Sequence, residues 1–139
     1  MATLTQPSSG TTVFDVYGET CPSRALLGLV TSRWAVLLIG ALEEGPLRFG
    51  ALRRRLEGVS QKVLTEKLRD LEAEGLVSRT VVDRPLAVHY ELTAVGHSVA
   101  RPLAALREWA QTHCDDRAAA QEPPRRRRVP VAASMTSRQ

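Results

Sequence analysis

Aromatic residues are few in this chain: two Trp, two Tyr and two Phe, 4% of 139 residues. A core must therefore come mostly from Leu, Val and Ala, and a core that small often gains from pairing with a second copy. Cysteine is equally sparse. Cys21 and Cys114 are too far apart in sequence for the paired spacing of a zinc site, and two cysteines make no disulfide framework. Reduced thiols and a cytoplasmic location are the expectation. The longest unbroken apolar run, Trp34 to Leu42, is far short of the roughly 20 residues a membrane span needs. Residues 1–20 have no basic start followed by an apolar stretch, so neither a secretory leader nor a membrane partner is expected. His89, His97 and His113 lack a Cys or carboxylate at ligand spacing, which argues against a metal. No nucleophile elbow, phosphate loop or paired-carboxylate pattern is present, so no cofactor and no enzymatic activity are expected.

What the chain does have is positive charge in one place. The net charge is +4 and the pI about 9.7, but these understate the asymmetry. Between Gly45 and Arg69 stand Arg48, Arg53, Arg54, Arg55, Lys62, Lys67 and Arg69, against Glu57 and Glu66 alone. A basic cluster on one motif is the footprint of a polyanionic partner. The ends differ in composition from the middle. Residues 1–20 are rich in Thr, Ser and Gly, and residues 115–139 carry Pro123-Pro124 and four arginines, Arg125 to Arg128. Both read as disordered tails around one folded unit at 21–114.

Pro22 suits the first turn of a helix reaching about Ser32. A second helix, about Arg33 to Glu44, places Trp34, Leu37, Leu38 and Ala41 on one stripe and stops at Gly45-Pro46. A third holds Phe49, Leu52 and Leu56 inward and Arg53 to Arg55 outward. After Glu57-Gly58-Val59, Ser60 is a natural N-cap for a fourth helix. There Leu64, Leu68 and Leu71 face inward, Lys62, Thr65, Glu66 and Arg69 face outward, and Gly75 ends it. Leu76 to Val82 and Val88 to Leu92 read as strands joined around Asp83-Arg84-Pro85. Thr93 caps a last helix with an apolar stripe of Val95, Val99, Leu103, Leu106 and Trp109, and Pro102 within it predicts a kink or break. The fold class is mainly α with a small β-hairpin (α+β): a winged helix-turn-helix with an extra C-terminal dimerisation helix, built to lay one helix in a DNA groove.

With these elements placed, the chain resembles the HxlR family of bacterial winged-helix transcription regulators. The residues carrying the likeness are Cys21-Pro22, Arg33-Trp34 with Leu37-Leu38-Ile39, Gly45-Pro46 with Arg48-Phe49 and Leu52, and Ser60 to Thr65 with Leu68-Arg69. They continue through Gly75-Leu76-Val77, Arg79, Val88, Tyr90, Leu92-Thr93, Gly96, Leu106 and Trp109. The chain departs from the pattern at Ser32-Arg33, where Gly-Lys is frequent, and at His89, where an acid is common. The resemblance implies a homodimer on a palindromic double-stranded DNA operator, usually a repressor. It also implies, from several members, a response to oxidants or electrophiles through a cysteine placed like Cys21.

Ser60, Gln61, Lys62, Thr65 and Arg69 are the residues expected to reach DNA. The helix N-terminus favours phosphate at Ser60 and Gln61, Gln61 can pair with adenine, and Arg69 with guanine or phosphate. Arg84 at the wing tip and Arg54 on the third helix are expected backbone contacts. The plainer possibility is that Lys62 and Glu66 pair at i, i+4 on a solvated face. Val99, Leu103, Leu106 and Trp109 are the expected dimer interface. Cys21, next to a helix start and Arg24, is placed to be a reactive thiol, with Cys114 beside Asp115 and Asp116 at a helix C-terminus as resolving partner. An inert core Cys is the competing reading. Two further alternatives stay open: a winged-helix scaffold for protein interaction, and a regulator induced by a small aromatic ligand near Trp34.

Overall fold

The protein is described here by a computed structural model, which covers residues 4, 5, 13–84 and 86–120. Two short strands, β1 (Leu4–Thr5) and β2 (Val13–Phe14), precede helices α1 (Pro22–Val30) and α2 (Arg33–Leu42). Then come β3 (Leu47–Arg48), α3 (Phe49–Arg55), α4 (Gln61–Ala73), β4 (Val77–Asp83), β5 (Leu86–Leu92), α5 (Ala94–Thr112) and α6 (Cys114–Ala120). Helices with one small antiparallel sheet, in the order β3-β5-β4, make the expected α+β architecture. The chain divides into two units, Met1–Arg107 and Glu108–Gln139.

In the first unit the core is aliphatic. Leu38, Ile39 and Leu42 of α2, Leu52 of α3, and Leu64, Leu68 and Leu71 of α4 cluster with Leu76, Val77 and Leu92. A fully buried Leu adds roughly 1.5–3 kcal/mol, so this cluster positions α3 and α4, with Trp34, Phe49 and Tyr90 packed half-buried at its edge. Leu37, expected inside, is exposed, because α2 buries Ala35 and Leu38 instead and turns Leu37 away. α4 ends in a motif that only a left-handed residue can close. Gly75 has φ +74, its N–H donates to Glu72 O (3.0 Å), and Leu76 N–H donates to Leu71 O (2.9 Å).

β4 and β5 pair from Val77 opposite Leu92 to Asp83 opposite Leu86. Pro85 lies outside the described residues. β3, which sequence periodicity did not reveal, adds an edge: Leu47 pairs with Tyr90 and Arg48 with His89. Thr93 caps α5, accepting from Gly96 N–H (3.1 Å) and donating to Gly75 O (2.6 Å). α5 runs through Pro102 without the break expected there. Its inward row is Gly96, Ala100 and Leu103. Leu103, expected at a dimer interface, is 5% exposed and belongs to the protomer's own core. Spacings of three and four residues admit two adjacent stripes: Val95 and Leu106 stay outward, while Val99 is half-buried and packs against the core.

At the N-terminal end, where the composition suggests an unstructured tail over 1–20, β1 and β2 pair antiparallel. A turn follows in which Gly18 N–H donates to Asp15 O (3.0 Å) and Cys21 N–H to Gly18 O (3.1 Å). In the second unit the Trp109 ring stacks on His113, centroids 5.2 Å apart and 16° from parallel. Cys114 opens α6, whose first turn includes Asp115 and Asp116, so it stands at a helix start and not at the C-terminus expected. The helix also extends past the expected boundary at 114. Arg125 to Arg128 lie outside the described residues.

Candidate nucleic-acid interface

The helix-turn-helix is α3, the turn 56–60 and α4. Leu56 and Val59 are buried in the turn, and Gly58 between them takes φ +87, a conformation that β-carbons disfavour. Ser60 then caps α4 as its sequence predicts, its Oγ accepting from Val63 N–H at 3.1 Å. Such a cap contributes about 1 kcal/mol and fixes where the helix begins. It also leaves the first free amides of α4 beside Ser60 and Gln61, where helix dipole and N–H groups favour an anion.

Burial of Leu64, Leu68 and Leu71 rotates Gln61, Lys62, Glu66 and Arg69 outward, all exposed. Thr65 is half-buried, its hydroxyl donating to Gln61 O (2.7 Å), so its methyl group and the lone pairs of its hydroxyl oxygen are what it offers. Gln61, Lys62, Thr65, Glu66 and Arg69 line one shallow groove of about 460 Å³ along the outer face. Lys62 and Glu66 form no ion pair among the described residues, so the bland pairing across this face is not made. Arg53, Arg54 and Arg55 are exposed at the end of α3, and Arg84 is exposed at the wing tip.

A second cleft, about 310 Å³, lies between α4 and the sheet and shares Gln61, Thr65 and Arg69 with the groove. Its far wall carries Arg79 of β4 and Tyr90 of β5. Sequence reasoning did not single out Arg79 as a site residue, although a basic residue between Val77 and Val81 on an alternating strand was the available signal. On the opposite face of the sheet, Arg48 Nε donates to His89 Nε2 at 3.5 Å, which gives the unusual His89 a neighbour on β3.

A family model described as HxlR-like helix-turn-helix matches residues 29–118. The chain belongs to the HxlR family. It is a transcriptional regulator with a helix-turn-helix domain, and the family implies DNA binding. Within the family it is 44% identical over 98 residues to the uncharacterized HTH-type transcriptional regulator YtfH of Escherichia coli K12, covering 70% of this chain and 78% of that one. The ytfH structure from Salmonella typhimurium is similar at 40% identity with a TM-score of 0.73, over 78% of this chain and 98% of that one. The redox regulator HypR in its oxidized form (32% identity, TM-score 0.61, 66% and 96% covered) is a more distant likeness. Diamide-treated YodB of Bacillus subtilis is comparable (32%, 0.58, 68% and 96%).

Away from the helix-turn-helix, α1 and α5 of this HxlR-family chain share an apolar surface. Leu26 and Leu27 are exposed on α1 and Val95 on α5, and with Val99 they line a hollow of about 440 Å³. Leu106 is 47% exposed and Trp109 60%. Cys21 is the N-cap residue of α1 as expected, but it is only 4% exposed, and its Sγ lies 2.8 Å from Ser23 Oγ. No group of three His, Cys, Asp or Glu among the described residues is placed to hold a metal. No single described helix is long and apolar enough to cross a membrane.

Proposed function

We infer that this chain is a homodimeric repressor, a regulator and not an enzyme, that recognises a palindromic operator with one α4 in the major groove of each half-site. The observation that carries this reading is the outer face of α4: Gln61, Lys62, Thr65 and Arg69 in one row, with Lys62 and Arg69 free of ion pairs among the described residues. A protein-interaction scaffold would present apolar side chains there. Gln61 and Arg69 supply base contacts, while Ser60, Lys62, Arg54 and Arg84 hold phosphates. The exposed Val95 and Leu106 of α5, with the half-buried Val99 and with Leu26 and Leu27 of α1, support pairing of two copies, because a shared exposed apolar patch marks an interface. Binding of the full chain to its own promoter fragment tests this. Gln61→Ala and Arg69→Ala should lose preference for that fragment over random duplex, whereas Arg84→Ala should weaken both alike. Absence of any salt-dependent binding would return the chain to the scaffold reading.

The regulation we propose is oxidation or alkylation of Cys21. The redox regulator HypR and the diamide-treated YodB among its similar structures support this. The position of Cys21 at the start of α1, beside the apolar surface, gives modification a route to the dimer: a larger or charged sulfur has no room at a 4% exposed site without moving α1. Operator release by diamide that persists in Cys21→Ser would rule it out. Cys114, exposed, is the thiol that could resolve it.

A further inference from the structure

On β4, Val77, Arg79 and Val81 share one face of the sheet, and cross-strand register sets them against Leu92, Tyr90 and Val88. Val77 and Leu92 belong to the core, and Tyr90 packs against it. Arg79 is thus the one cation in an otherwise apolar double row. Arg79 is exposed on this face and lines the cleft between α4 and the sheet, as Arg69 does from the helix. Neither guanidinium has a hydrogen-bond or ion-pair partner among the described residues, and neither does the Tyr90 hydroxyl. Glu72, which also lines the cleft, pairs with neither arginine.

We propose that this cleft seats one backbone phosphate of the bound duplex, held from the helix by Arg69 and from the wing by Arg79. Two guanidiniums and one carboxylate leave a single positive charge, which one phosphodiester neutralises. The cleft is continuous with the outer groove through Gln61, Thr65 and Arg69, so a strand lying on α4 passes its mouth. Arg84 at the end of the same strand continues the track to the wing tip. Because Arg69 is shared between a base-reading face and this phosphate, the wing strand fixes the register in which α4 enters the groove. The proposal rests on the DNA-binding reading above.

Fluorescence anisotropy of the full chain, with its promoter duplex and with random duplex over about 50–200 mM salt, tests it. Arg79→Ala should weaken both duplexes by the same factor, of the order of 10-fold, and flatten the salt dependence by about 0.9, the share of one phosphate. Arg79→Lys should keep most of the affinity and guards against a folding defect, while Glu72→Gln should strengthen both duplexes. Unchanged affinity and slope in Arg79→Ala, with wild-type binding intact, overturns the phosphate seat and leaves the DNA reading standing. Loss confined to the promoter duplex overturns it too, since Arg79 would then read a base. Calorimetric titration of inorganic phosphate into the DNA-free protein separates the other source. Saturable binding abolished in Arg79→Ala, with duplex affinity unchanged, would make the cleft a site for a free anion and overturn the proposal. A wild type that binds no duplex overturns both readings.

Discussion

Replacing Gly96 by Ala puts a methyl group where the structure has none to spare. A β-carbon there would overlap the Leu76 carbonyl oxygen, and would lie 3.1 Å from Leu76 C and 3.2 Å from Leu92 Cδ2. Carbon contacts are optimal near 3.5–4.0 Å, and the obstacle is backbone, so the start of α5 must move away from the α4–β4 connection. That movement strains two hydrogen bonds, Thr93 N–H to Leu76 O (3.0 Å) and Thr93 Oγ1 to Gly75 O (2.6 Å). Overpacking costs about 1–3 kcal/mol and each weakened bond up to about 1 kcal/mol. Better helix propensity returns about 0.5–1 kcal/mol. The net is a loss of roughly 2–3 kcal/mol, which for a domain of this size lowers Tm by about 10–20 °C. Gly28→Ala is the matched control. Gly28 lies within α1 with nothing near a β-carbon, so the same change there should stabilise by about 0.4–1 kcal/mol. Thermal and urea unfolding followed by circular dichroism measures both. Equal signs for the two variants would refute the packing argument.

Ser60→Ala should cost about 1 kcal/mol of stability through the lost bond to Val63 N–H, read in the same unfolding experiment. Leu106→Asp places a charge on the outward row of α5 and should yield monomers in sedimentation with much weaker operator binding, whereas Leu103→Asp, in the core, should unfold the protein instead. Diamide should release wild type from its operator and leave Cys21→Ser bound, as gel shift would show. An equal response in the two would remove Cys21 from the mechanism.

Much of this arrangement is legible in the residues. Ser60, Gly75 and Thr93 cap as their chemistry dictates, and the α4 leucines alone decide which side chains face outward. Other features are not, each for a physical reason. β3 is two residues long and exists through its pairing with β5, which no local pattern encodes. Leu103 and Leu106 are equally apolar, and only burial in the core cluster tells the inward stripe from the free one. Pro102 signals a kink or a break, and of the two the break does not occur: loss of one amide donor did not interrupt a helix whose inward row is anchored at Ala100 and Leu103. Arg79 is legible as a break in strand alternation, but its meaning depends on Arg69, which meets it in space and not in sequence.

Hydroxyl-radical footprinting of the promoter fragment is the most direct test of the central claim, that two copies each place one α4 in a major groove. Two protected half-sites related by a two-fold axis are predicted, with centres about one helical turn (about 34 Å) or a multiple of it apart. Protection should fade together in both halves with Arg69→Ala or with Leu106→Asp. Protection of a single site unaffected by Leu106→Asp, or no protection at all, would contradict it.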